Sequence, residues 1–240
     1  MAKVVFGPLI SDARKKIGGV VFSKARTGAY VRRKVSPTQP RSTAQRSVRA
    51  NFTANAKAWS GVLLAAARAA FTQLAATLTK KDRFGQSVTL TGAQLYQSTA
   101  RNLHTIGHAP LTTAPNDQSI SDLGGLTLTE ATSPDSPYSG PGLKVAPVTN
   151  PATGEAMVIA AAPPLRAGIS FVGKSKYRVI EVIGIQPTSP ATSFPIDITG
   201  SYQSRFGQLE SGMVIHVEIY NVNSVNGAAG KPYPAEITLS

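Results

Sequence analysis

The chain contains no cysteine, a single tryptophan and only 7% aromatic residues. Without cysteine, disulfides and thiolate metal sites are excluded, and the redox compartment leaves no mark on the sequence. Long apolar runs are missing too. None, Val62 to Ala67 included, comes near the length of a membrane span. The N-terminus, MAKVVFGPLISDARKK, has no signal-peptide h-region and no small-residue cleavage site. These features lead us to expect a protein made in a cytoplasm. Acidic residues are scarce in one half only: residues 1–116 carry 18 Lys or Arg against Asp12 and Asp82, whereas residues 117–240 carry 7 against 10 Asp or Glu. Such asymmetry suggests two modules with different partners. At 240 residues and 42% hydrophobic content, the chain can bury a real core.

The stretch Lys15 to Trp59 organises the first module. Two β-like runs, Val20–Ala25 and Ala29–Val35, flank the turn Arg26-Thr27-Gly28, and a Pro-rich joint follows from Ser36 to Pro40. Val4 to Ile10 reads as a short edge strand, and Asp12 to Lys16 as a helical turn ended by Gly18-Gly19. Ser42-Thr43-Ala44-Gln45 is a capping-box pattern that opens a helix. Val48, Phe52, Ala56 and Trp59 then recur at the spacing of one apolar helix face. An alanine-rich second helix is expected from about Val62 to Leu78. A third, Ala93 to Ile106, is capped by Thr91-Gly92-Ala93-Gln94 and closed by Gly107 as a C′ glycine. Together the three helices are expected to bury Trp59, Phe52, Phe71 and Leu103.

Residues 109–125 are a linker by composition, with Pro110, Pro115 and Gly124-Gly125 and little apolar periodicity. Beyond them seven short β-rich runs separated by Pro and Gly clusters are expected as strands: Leu126–Ala131, Leu143–Val148, Met157–Ala162, Tyr177–Ile185, Ile196–Tyr202, Val214–Val222 and Ala235–Leu239. Seven strands in this length fit an Ig-like or fibronectin-type β-sandwich. The expected fold is therefore α+β. A hairpin plus three-helix module spans 1–108, a linker 109–125, and an all-β Ig- or fibronectin-III-like sandwich 126–240.

Catalytic motifs are not evident. His104 and His108 stand four apart, as two metal ligands would, but no carboxylate lies near them in sequence and Gly107 ends the helix between them. His216 reads as a half-exposed strand residue. There is no G-x-S-x-G elbow, no phosphate loop, and the carboxylates are scattered. The strong chemical signal is the basic stretch, which holds eleven Lys or Arg and no acid between Arg14 and Arg49. Its candidate contact residues are Lys15, Lys16, Lys24, Arg26, Tyr30, Arg32, Arg33, Lys34, Arg41, Arg46 and Arg49. Cations neutralise phosphates without reading sequence, and Tyr30 adds a stacking surface. The same cations can instead pair with acidic groups on a neighbouring subunit.

The run GGVVFSKARTGAYVRRKVSPTQPRSTAQRSVRANF resembles the opening of uncharacterised phage- and prophage-associated proteins. They share the layout G-x-V-F-S, R-x-G-x-Y-V-R, P-x-x-P-x-[ST]-x-x-Q, R-x-x-F. The later TLTGAQLYQSTARNL resembles the segment that follows in them, so the likeness covers roughly residues 15–110. The C-terminal half resembles, in strand pattern, fibronectin-type modules of phage structural proteins. The resemblance implies a non-enzymatic structural protein of a virion, made in the bacterial host cytoplasm, and brings no catalytic residues. The expected partners are copies of itself and other subunits of a large assembly, with non-specific nucleic-acid contact and no membrane; no cofactor is expected. The alternative is a nucleoid-type protein that binds nucleic acid without sequence preference.

Overall fold

A computed structural model describes residues 2–8, 10, 12–25, 28–36, 42–81, 85–131, 141–166, 168–169, 171–184 and 193–240. The fold is α+β, with four α-helices and antiparallel sheets among the described residues. The chain divides into two compact units, Met1–Asn51 with Leu78–Leu90, and Phe52–Thr77 with Thr91–Ser240.

The first unit contains β1 (Ala2–Lys3), β2 (Lys15–Ile17), β3 (Val20–Ala25) and β4 (Gly28–Arg33), an antiparallel sheet in the order β1-β4-β3-β2. β5 (Thr79–Lys81) and β6 (Ser87–Thr89) form a separate two-stranded ladder. The expected hairpin is present, but Asp12 to Lys16 is not helical, because Lys15 and Lys16 pair with Phe22 and Val21. No described residue of the expected strand Val4–Ile10 is in a strand, Leu9 lying outside the described residues; the strand that pairs with β4 is Ala2–Lys3, after which the Val4 N–H donates to the Ala29 carbonyl at 2.9 Å. Helix α1 (Thr43–Lys57) begins in this unit, where the Gln45 N–H donates to the Ser42 hydroxyl at 3.3 Å.

In the second unit the helical path runs from the end of α1 through a π-turn, Ala58–Val62, into α2 (Ala65–Thr77) and later α3 (Gly92–Thr105). Helix α3 is capped at both ends as its sequence demands. Thr91 and Gln94 bond reciprocally at 3.2 and 2.9 Å. At the other end the His108 N–H donates to the Leu103 carbonyl and the Gly107 N–H to the His104 carbonyl, with Gly107 at φ +77. Phe71, Leu103 and Tyr96 are buried, and Trp59, Phe71 and Tyr96 form an aromatic trio with centroids 5.4 to 6.1 Å apart. Phe52 departs from expectation. It is 62% exposed and Trp59 is only half-buried, because the expected stripe does not face inward: Val48 and Ala56 are exposed too, and the buried side chain of α1 is Asn55, whose amide oxygen lies 3.3 Å from His104 Nε2.

The remaining strands are β7 (Leu126–Ala131), β8 (Gly142–Pro147), β9 (Glu155–Ala161), β10 (Leu165–Arg166), β11 (Arg178–Ile183), β12 (Ile196–Asp197), β13 (Met213–Asn223) and β14 (Tyr233–Thr238). One sheet has the order β12-β8-β7. The other has the order β10-β13-β9-β11, with β14 on β13. Leu143 and Val145 from the first share one core with Met157, Ile159, Ile215, Val217 and Ile219 from the second. Ile196–Tyr202, expected as one strand, pairs only at β12 and then turns into α4 (Thr199–Phe206). The helix wins because the Asp197 carboxylate accepts the Thr199 N–H at 2.8 Å. Tyr202 and Phe206, one turn apart, pack with ring centroids 5.0 Å apart and planes inclined at 52°, and the Tyr202 hydroxyl donates to the Ala162 carbonyl at 3.0 Å.

The expected linker 109–125 has neither helix nor strand, yet it lies within the second unit. Gln118 donates to the Asn226 carbonyl at 2.8 Å, and Ser121 is held by Glu155, itself 2% exposed. On the other side α3 closes on the 223–230 turn: Asn102 donates to the Gly227 carbonyl at 2.9 Å. Gly227 has φ +67, and a Cβ there would lie 2.8 Å from Thr99 Cβ, so only glycine fits both the turn and the approach.

Candidate functional site: the basic N-terminal sheet

Strand pairing sorts the cations of the first unit by face, since directly opposed residues project to the same side and neighbours along a strand to opposite sides. Lys16, Val21 and Arg32 form one cross-strand row, and Ser23, Tyr30 and Lys3 form the next on the same face. The other face carries the rows Ile17, Val20, Arg33 and Lys15, Phe22, Val31, Ala2, then Lys24 with Ala29. Arg32 and Arg33 therefore point oppositely.

Lys15, Lys16, Lys24, Arg32, Arg33 and Lys34 are all exposed, and among the described residues no ion pair reaches them. Lys34 lies just past β4, its N–H donating to the Gly19 carbonyl at 2.8 Å. Arg46 and Arg49 are exposed on the first turns of α1. The sheet thus brings together Lys15, Lys16, Lys24, Tyr30, Arg32 and Arg33, but on two surfaces. Arg26 and Arg41 lie outside the described residues.

Two features were invisible in the sequence. Lys3 joins the Tyr30 face only through the long-range pairing of β1 with β4, and it donates to the Gln86 side chain at 2.5 Å. The apolar residues between the cations of the opposite face are the other: Ile17 is 66% and Val20 38% exposed. Indeed no described residue of this unit is buried.

The histidines do not assemble a site. His104 faces Asn55, His108 lies exposed beyond the helix cap, and no group of three or more potential metal ligands occurs among the described residues. His216, expected half-exposed, is 5% exposed on β13, with Nδ1 3.6 Å from the Glu236 carboxylate. It sits in the middle of an interior strand, with β9 paired on one side of β13 and β14 on the other, a position that pattern alone does not reveal. A polar cleft of about 380 Å³ opens on the same strand, lined by Arg101, Asn102, Glu218 and Tyr220 among others. Burial raises the Glu218 carboxyl above its ordinary range, partly offset by Lys174. No helix of the described residues is long and apolar enough to cross a membrane. No family model matches the chain, and no curated protein or solved structure matches it either.

Proposed function

We propose that this chain is a non-enzymatic structural protein of a phage virion or virion-like assembly, docked by its basic N-terminal module and displaying a β-sandwich. The observation that carries the reading is the state of the first unit. Its sheet is fully laddered, yet none of its described residues is buried, and no ion pair among the described residues reaches the exposed Lys15, Lys16, Lys24, Arg32, Arg33 and Lys34. A small sheet with no core is marginal in water. Packing against neighbouring subunits supplies the missing cover, and carboxylates or carbonyls there take up the cations.

The displayed module is read as an Ig- or fibronectin-type sandwich, and strand order supports this. β7 and β8 pair in one sheet and β9 and β11 in the other; the chain then returns to β12 beside β8, and finally to β13 beside β9, with β14 paired to β13. Such crossing between two sheets is the Greek-key pattern of these sandwiches.

The test is incorporation of Arg32→Glu/Arg33→Glu, which reverses charge on both faces at once, into particles treated with nuclease to remove the genome. Loss of the double variant supports docking to protein. Normal incorporation with loss of DNA retention favours the nucleic-acid reading. That second reading draws on one observation: Tyr30, Arg32 and Lys16 share a face, a stacking ring beside cations.

A further inference from the structure

The two faces of the N-terminal sheet are chemically different. On the Tyr30 face, the chain itself approaches: Lys3 is bonded to Gln86 of the β5–β6 connection. On the opposite face, Ile17, Val20, Phe22 and Val31 form a contiguous apolar centre. Lys15 stands beside Phe22 on the outer strand, Arg33 beside Val20 at one end, and Lys24 two residues beyond Phe22 at the other. With adjacent strands ~4.8 Å apart and ~6.7 Å between same-face residues, the three cations surround a patch roughly 13 Å long and about 10 Å wide. Ile17 and Val20 are exposed, Phe22 and Val31 half-buried, and all three cations exposed.

This composition discriminates between partners. A phosphate backbone gains from an unbroken run of cations and gains nothing from Ile17, Val20 and Val31, which it would leave in water or cover with charge. A second copy of the same face would set Lys15, Lys24 and Arg33 near their own equivalents, a like-charge clash. A different protein surface, apolar at its centre and ringed by carboxylates, satisfies both parts. The centre is then buried and the rim paired, as in ordinary interface anatomy. We propose that the Ile17–Val20–Phe22–Val31 face, rimmed by Lys15, Lys24 and Arg33, is the docking surface for such an acidic-rimmed neighbouring subunit. This deepens the assembly reading and rests on it.

The experiment compares two charge reversals in the full chain, each scored by copies incorporated into purified, nuclease-treated particles. Lys15→Glu/Lys24→Glu changes only the apolar face. Lys16→Glu/Arg32→Glu changes only the Tyr30 face. Circular dichroism checks that both variants fold as the wild type does, and Val20→Ser gives an apolar-centre variant with charge intact. Expected are losses of roughly tenfold or more for Lys15→Glu/Lys24→Glu and for Val20→Ser, with Lys16→Glu/Arg32→Glu close to wild type. Zero-length carbodiimide cross-linking of wild-type particles should also join Lys15 or Lys24 to a carboxylate of another protein. Equal losses from both faces, loss from the Tyr30 face alone, or cross-links only between copies of this chain would overturn the inference while leaving assembly standing. Absence of the wild-type chain from every particle removes the assembly reading itself, and this surface with it.

Discussion

Ser121 and Glu155 are clamped together inside the second unit. The Ser121 N–H donates to one carboxylate oxygen at 2.8 Å and its hydroxyl to the other at 2.5 Å, and the Asn221 amide also donates to Glu155. This carboxylate, 2% exposed, is the anchor of residues that composition alone marks as a loose connection. Truncating it leaves buried donors without acceptors, each costing ~1–3 kcal/mol.

Glu155→Ala should therefore destabilise the second unit by about 2–4 kcal/mol in urea unfolding. The same change should speed cutting within 117–125 by a broad-specificity protease, because a segment is cleaved as often as it opens. Unchanged cutting rates would show that the clamp does not hold the segment.

Phe71 and Phe52 make a contrasting pair. Phe71 is fully buried, with ring centroids 6.1 Å from Trp59 and 5.4 Å from Tyr96. Phe71→Ala should cost ~3–5 kcal/mol. Phe52→Ala, at a side chain 62% exposed, should stay within ~0.5 kcal/mol. The only tryptophan lies in this cluster, so Trp59 emission followed through urea unfolding reads both variants directly.

How far the sequence disclosed these arrangements depends on the range of the forces involved. The strand at Leu126–Ala131 appears at its expected bounds, and β13 differs from its expected span by one residue at each end; turn residues and apolar pattern act locally there. The caps of α3 were legible for the same reason, each bond spanning a few residues. Helix α4 was not. Its run is β-rich, and the partner of its Tyr202 hydroxyl, the Ala162 carbonyl, lies 40 residues away. Ser121 and Gln118 looked like linker residues because Glu155, Asn221 and Asn226 are far away in sequence. In the basic stretch, alternation made it plain that Arg32 and Arg33 would diverge. Which apolar residues lie beside each cation needed the register of three strand pairs.

The Glu218 carboxyl carries a pH signature. Burial raises it above its ordinary value of 4.5, so the folded protein holds this proton more tightly than the unfolded chain does. Below 4.5 both states are protonated and the favourable contribution is complete. As pH rises the unfolded chain ionises first, and stability falls until the folded carboxyl has ionised as well. Glu218→Gln removes that loss. The variant should exceed wild type in thermal stability at pH 7, with the gap closing as pH drops below the ordinary carboxylate range. A gap independent of pH would assign the effect to packing in the Arg101–Tyr220 cleft instead.

Gly227→Ala tests the seam between α3 and the 223–230 turn. The substitution meets a positive φ, which costs an L-residue ~1–2 kcal/mol, and a Cβ contact at 2.8 Å with Thr99. A combined loss of about 2–4 kcal/mol is expected in urea unfolding. Adding Thr99→Ala leaves the loss in place, because the Thr99 Cβ that the new methyl meets is kept. A neutral Gly227→Ala would mean that the turn can swing away from α3.

Hydrogen exchange separates the two units most sharply. In β9 every residue from Ala156 to Ala161 is at most 3% exposed, and β13 pairs beside it over seven residues. Those amides should exchange only through global unfolding. The ladder of β3 and β4 is just as regular, with six opposed pairs, but no described residue of its unit is buried. Hydrogen bonds without apolar cover open at little cost, so amides of Val21 to Ser23 and Tyr30 to Arg32 should exchange about a hundredfold or more faster than those of β9 in the free chain. Docking changes this through burial rather than through new ladder bonds. In particles, protection of β3 and β4 should rise toward that of β9, while β9 itself stays as it was. Equal protection of β3 and β9 in the free chain would give the sheet a core of its own, and no docking partner would then be needed to explain its stability.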